Sequence, residues 1–151
     1  MRKSLLIGLT AILLLGAMPV SAQLLGTWEG TGTGNCYPHS GIVIYPWSVW
    51  KGEVYISPDQ DAPIFEGEWY DELGNCGTFK GNVLPISPSE DQEICLGEWT
   101  WFDPSSGSEK PIYGGDFKMT FYLKKAYCKG TWTTIWISTS ARGTMEGRKT
   151  D

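Results

Sequence analysis

The chain has 151 residues, including 8 Trp, 7 Tyr, 5 Phe, 19 Gly and 4 Cys, with 12 Lys and Arg against 17 Asp and Glu. That length suits one domain with a real core and excludes two ordinary ones, and the aromatic density excludes a disordered chain. A formal charge of −5 argues against nucleic acid and anionic membrane surfaces as partners.

At the N-terminus, Arg2 and Lys3 precede an apolar stretch from Leu5 to Ala17, followed by Pro19 and the small-residue run Val20-Ser21-Ala22. This is the order of a secretory signal peptide. Residues 1–22 are therefore expected to be removed, leaving 23–151 as a single β-meander domain in a secreted or periplasmic location. The apolar run is too short for a committed membrane span, and nothing downstream is long and apolar enough for another. Loss of Arg2 and Lys3 takes the formal charge from −5 to −7.

Beyond that point a five-residue pattern recurs as Leu24-Leu25-Gly26-Thr27-Trp28, Phe65-Glu66-Gly67-Glu68-Trp69, Cys95-Leu96-Gly97-Glu98-Trp99 and Cys128-Lys129-Gly130-Thr131-Trp132. Three copies are followed by a return segment, at Gly77–Gly81, Phe117–Phe121 and Gly143–Gly147. The first is expected to return through the long segment from Ile42 to Ile56. Four hairpins predict about eight strands. Alternation places Gly and Trp on one face and Thr, Glu and Lys on the other, as in an antiparallel meander with one wet side. The fold class expected is all-β, as a barrel or a strongly curved sheet, with an open sheet or a sandwich as the alternatives. In a closed barrel, alternating small and large inner residues would set the four repeat tryptophans in one layer and the four glycines in the next.

Phe65–Trp69 resembles the opening of a MORN repeat, whose aromatic-x-Gly-x-aromatic signature begins a β-hairpin; Cys95–Trp99 and Cys128–Trp132 resemble it less closely. The glycines lie 41, 30 and 33 residues apart, which departs from the short, nearly fixed MORN period. Leu25-Gly26-Thr27-Trp28 resembles the first strand of avidin-type and lipocalin-type barrels. That resemblance implies an eight-stranded meander holding a ligand in an aromatic-lined mouth.

An even cysteine count in an exported chain predicts disulfides among Cys36, Cys76, Cys95 and Cys128. Pairing by barrel end gives Cys36–Cys76 and Cys95–Cys128. Equivalent positions two strands apart are separated by roughly twice the ~4.8 Å strand spacing, so this pairing needs loops that bend inward. No CxxC spacing is present and His39 is the only histidine, so neither a metal site nor a cofactor is expected. Asp59, Asp61, Asp71 and Glu72 lack the dense spacing of a calcium loop and are expected to be turn residues.

Two groups of aromatics are candidate sites. Trp28, Trp69, Trp99 and Trp132 would line an apolar cavity or stack on a sugar; filling the core is the competing reading. Tyr45, Trp47, Trp50 and Tyr55 fall on both faces of one segment around Pro46, which predicts a binding patch or subunit contact at an edge or bulge. Catalysis has little support, and no catalytic residue is assigned. A Cys36/His39 nucleophile pair competes with a disulfide, and Glu66, Glu68 and Glu98 lie on the wet face. An outer-membrane barrel would need an apolar outer face, which the Glu, Lys and Thr positions do not provide. The function expected is a secreted, disulfide-stabilised binding protein for a small apolar or carbohydrate ligand. The alternatives are a structural or envelope-associated interaction protein, including a homo-oligomer, and a glycan-acting hydrolase.

Overall fold

The computed structural model describes residues 21–60, 62–85, 91–136 and 141–151. Most of the expected export segment, Asp61 and most of the loop from Pro85 to Glu93 lie outside the described residues. A short helix α1 (Ser21–Leu24) leads into β1 (Gly26–Thr33), β2 (Cys36–His39), β3 (Ile42–Ile44), β4 (Val49–Ile56) and β5 (Pro63–Tyr70). Then follow β6 (Cys76–Pro85), β7 (Gln92–Trp101), β8 (Ile112–Tyr122), β9 (Tyr127–Thr133) and β10 (Arg142–Lys149), with a 3₁₀ turn η1 (Leu123–Lys125) between β8 and β9.

Eight strands close into an antiparallel barrel in the order β1-β10-β9-β8-β7-β6-β5-β4, and β2 and β3 form a separate two-stranded hairpin. Every neighbour is the next barrel strand in sequence, and β1 closes the ring by pairing with both β4 and β10. The all-β meander is therefore closed, which leaves no unpaired sheet edge in the barrel. Alternation explains the register. On β10, Gly143, Met145 and Gly147 are buried while Arg142, Thr144, Glu146 and Arg148 are exposed, and the same two-residue period runs through β4 and β8.

The first hairpin departs from expectation. The segment from Ile42 to Ile56 is not one return strand: β3 ends at Ile44, and β4 begins only at Val49. Pro46 lacks a ladder donor, and Trp47 sits at φ 64°, so the chain turns sharply where a strand would have continued. The excursion from Cys36 to Ile44 becomes a flap at the end of the barrel where β1 finishes.

The disulfide expectation is corrected. All four cysteines are free thiols, with Cys36, Cys95 and Cys128 buried and Cys76 exposed. Cys95 on β7 and Cys128 on β9 are separated by the whole of β8, where they pair with Met119 and Phe121 respectively. Two strand spacings, ~9.6 Å, exceed the roughly 7 Å Cα limit for a bridge. Cys36 is sealed under the flap, whereas Cys76 has outward parity on β6.

Candidate functional site

The barrel interior is filled with rings. At the flap end, Trp69 reaches across β6 to hydrogen-bond the Thr100 carbonyl on β7 at 2.8 Å. Trp99 likewise crosses β8 to the Thr133 carbonyl at 2.8 Å, and Trp132 crosses β10 to the Thr33 carbonyl at 3.1 Å. The crossed strands make room with glycine. A Cβ on Gly77 would lie 1.8 Å from Thr100 O, and one on Gly143 2.3 Å from Trp132 Nε1. The three indoles meet edge to face, with centroids 5.9 Å apart for Trp69–Trp99 and 5.6 Å for Trp99–Trp132.

Trp28 does not join them. It is the third residue of β1, whereas Trp69, Trp99 and Trp132 lie near the C-terminal ends of strands running in the same direction. It therefore packs at the opposite end of the barrel, edge-on to Phe121 at 4.8 Å and hydrogen-bonded to Leu24 O at 2.9 Å. All four repeat tryptophans are 0% exposed with the indole N–H satisfied. They are core side chains in this structure, and the single layer of four becomes three plus one.

At the flap end, β1 and the residue that follows it carry Gly30, Gly32 and Gly34 instead of a large inner residue. Trp50 fills the first gap: its ring lies 2.5 Å from a Cβ placed on Gly30, and its N–H reaches Thr31 O at 3.3 Å. The second gap receives Trp47, whose Cβ lies 3.0 Å from one placed on Gly32. Trp47 comes from the Pro46–Ser48 turn and passes into the middle of the barrel, stacking on Phe79 at 4.3 Å and 23°. Phe117 and Trp50 flank it at 5.0 and 6.0 Å.

This ring is held differently from the five interior indoles that bond backbone carbonyls. Trp47 Nε1 is buried with no hydrogen-bond partner, a situation that costs about 1–3 kcal/mol. Its left-handed backbone costs a similar ~1–3 kcal/mol in a residue with a Cβ. Trp101 Nε1, beneath the flap, is the other buried unpartnered side-chain donor among the described residues.

Two carboxylates fasten the flap. Asp103, 6% exposed, accepts from Ser105 N at 2.8 Å and Ser105 Oγ at 2.6 Å, and bonds His39 Nε2 at 2.9 Å. These contacts, the Ser105 hydroxyl foremost, hold its carboxyl below the usual range. The His39 ring lies over Trp101 at 5.7 Å. Asp71, 7% exposed, takes Tyr45 N at 3.0 Å and Asn75 Nδ2 at 2.8 Å, while Asn75 also reaches Val43 O at 3.3 Å. Cys36 and Ile44 point into the core beneath the hairpin, and burial pushes the Cys36 thiol up to about 12.

The expected aromatic patch is dispersed. Tyr45 is exposed on the flap connection, Trp47 and Trp50 are buried, and Tyr55 hydrogen-bonds Glu66 at 2.8 Å on the outer wall. Parity set Trp47 and Trp50 on opposite faces, yet both are buried, because the turn at Pro46 resets the alternation. Glu66 lies on the outer face between Lys80 at 2.9 Å and Tyr55, which hold its carboxyl below its ordinary range. Such a group stays ionised near neutrality and is ill suited to general acid catalysis. No group of three or more His, Cys, Asp or Glu is arranged to hold a metal among the described residues. Sequence reasoning missed Asp71 and Asp103 as fasteners. The available signal was the Asx-turn chemistry of Asp71-Glu72-Leu73-Gly74-Asn75 and Asp103-Pro104-Ser105, which marks turns but not what they hold.

Compared with known proteins, the chain matches no family model, no curated protein and no solved structure.

Proposed function

We propose that the chain is an exported binding protein that takes a small, flat, uncharged ligand into the flap end of its barrel. The ligand would occupy the space that the Trp47 indole fills here. The observation that carries this reading is Trp47 itself: a buried ring on a left-handed backbone, without a partner for its N–H, stacked face-on against Phe79. Trp28, Trp50, Trp69, Trp99 and Trp132, by contrast, rise from regular strands and bond backbone carbonyls.

Strain of this kind persists where the surroundings over-determine it, and it lowers the cost of leaving the strained state. The flap and turn form the movable part. β2 and β3 pair only with each other, and side-chain fasteners to Asp71 and Asp103 tie the excursion to the barrel loops. A ligand that replaces the indole gains the Phe79 face and the Phe117 and Trp50 edges. All of these are apolar, so a planar neutral ring suits the space and a charged one does not.

Indole is the probe. Calorimetric titration of the full chain and of the His39→Ala variant should show saturable binding, at least tenfold tighter in the variant because one fastener of the closed state is gone. Equal affinity in the two proteins, or no saturable binding in either while both remain folded by near-UV circular dichroism, would remove the reading.

A further inference from the structure

Outside the barrel, the cations are distributed unevenly. Lys51 and Lys80, on the β4–β6 side, are neutralised by Glu29 at 2.8 Å and Glu66 at 2.9 Å. Lys118, Lys125, Lys129, Arg142 and Arg148 make no ion pair among the described residues, and all five lie on β8, β9, β10 or the turn joining β8 to β9. In a chain with 17 acids and 12 bases there is carboxylate enough to neutralise every base. Apart from Lys110 in the β7–β8 loop, the unpaired bases among the described residues are thus concentrated on three adjacent strands and their turn. They outnumber the carboxylates there, Asp116 and Glu146, leaving a cationic face on an acidic protein.

The strand registers lay this face out as a grid. Lys118, Thr131 and Thr144 form one row; Thr120, Lys129 and Glu146 form the next; Tyr122, Tyr127 and Arg148 form the third. A trough lies along the first two rows, its floor including the Gly130 backbone. At its end, Tyr122 and Tyr127 stack on each other at 6.0 Å, with the Lys129 ammonium 5.5 Å above Tyr122 and the Arg148 guanidinium 5.8 Å from Tyr127. These cation–π contacts hold the charges over the rings without neutralising them.

We propose that this outer face is a docking surface for a linear uronate polysaccharide. Lys118 and Lys129 occupy diagonal positions, roughly 7–8 Å apart at the backbone, with the Thr120 and Thr131 hydroxyls at the other corners. Separated ammonium groups alternating with hydroxyls complement a chain whose carboxylates alternate with sugar hydroxyls. The tyrosine faces are already occupied by each other and by cations, so they offer no open platform for stacking bases. The acidic remainder of the protein also disfavours the denser charge of a nucleic acid. This surface is on the opposite side of the wall from the interior site and does not depend on it.

The test is affinity electrophoresis of the full chain through gels containing polygalacturonate, its carboxyl-reduced form, or single-stranded DNA. Polygalacturonate should retard the protein, with less retardation as salt rises from about 50 to about 200 mM. The double variant Lys118→Glu/Lys129→Glu should lose at least tenfold in apparent affinity. The matched variant Lys51→Glu/Lys80→Glu, on the other side of the barrel, should not. Equal retardation by the carboxyl-reduced polymer, equal loss in both double variants, or stronger retardation by DNA would each overturn the proposal. Both pairs are exposed, and near-UV circular dichroism is the check that the variants keep the packed core.

Discussion

Replacing Trp47 and Trp99 by phenylalanine removes the same chemical group from two fully buried sites, yet the two losses should differ. Each substitution deletes the pyrrole edge of a buried ring, worth on the order of 1 kcal/mol of apolar contact. At Trp99 the lost N–H was bonded to Thr133 O at 2.8 Å, so that carbonyl loses its ring donor, adding about 1–3 kcal/mol. At Trp47 the N–H had no partner, so its removal returns about 1–3 kcal/mol, while stacking on Phe79 is retained. The expected outcome is a Trp99→Phe loss of about 2–4 kcal/mol and a Trp47→Phe change between no effect and a gain of about 2 kcal/mol. Urea titrations monitored by far-UV circular dichroism measure both, provided that the m-values agree. Equal losses within about 0.5 kcal/mol, or a larger loss at Trp47, would show that the unpaired indole carries no special cost.

Asp103 supplies a pH-dependent prediction. Ser105 and His39 depress its folded-state carboxyl below the unfolded value of about 3.9. Its contribution is therefore fully present above that value and is lost as pH falls through the lower folded one. The stability gap between the parent chain and Asp103→Asn should be constant from pH 5 to 7 and narrow below about pH 4; a gap that widens on acidification contradicts the assignment. The thiols supply another. In the native chain a thiol reagent should modify Cys76 promptly, while Cys36, Cys95 and Cys128 react only on unfolding, since burial raises each thiol and pushes Cys36 and Cys128 up to about 12. Fewer than four reactive thiols in the unreduced, denatured chain would refute the free-cysteine structure.

The barrel was legible in the sequence because its information is periodic. The Gly-x-Trp pattern and the two-residue alternation report on one strand at a time, and a meander joins strands in the order in which they are read. The rough strand count follows from that, whereas closure does not, because the same repeat suits an open sheet or a sandwich and only the β1–β10 pairing decides it. The level of Trp28 did not, because stagger between strands decides which end a residue reaches, and a local pattern does not encode stagger. The glycine run Gly30-Thr31-Gly32-Thr33-Gly34 was visible, but its meaning lies in Trp47 and Trp50, which arrive from elsewhere in the chain. Parity also set Trp47 and Trp50 on opposite faces although both are buried, because parity fails across a turn. The cysteine expectation failed for a related reason. Counting cysteines predicts a bond, whereas the intervening strand β8 and the opposite facing of Cys36 and Cys76 forbid it.

The most direct measurement is hydrogen exchange of the individual tryptophan indole N–H groups, by NMR in increasing sub-denaturing urea. If Trp47 is a displaceable plug, its N–H exchanges through a local opening, faster than those of Trp69, Trp99 and Trp132 and with little urea dependence. The other three exchange only with global unfolding and follow its full urea dependence. If Trp47 exchanges at the same rate and with the same urea dependence as Trp99, the plug never leaves the folded barrel, and the interior is core alone.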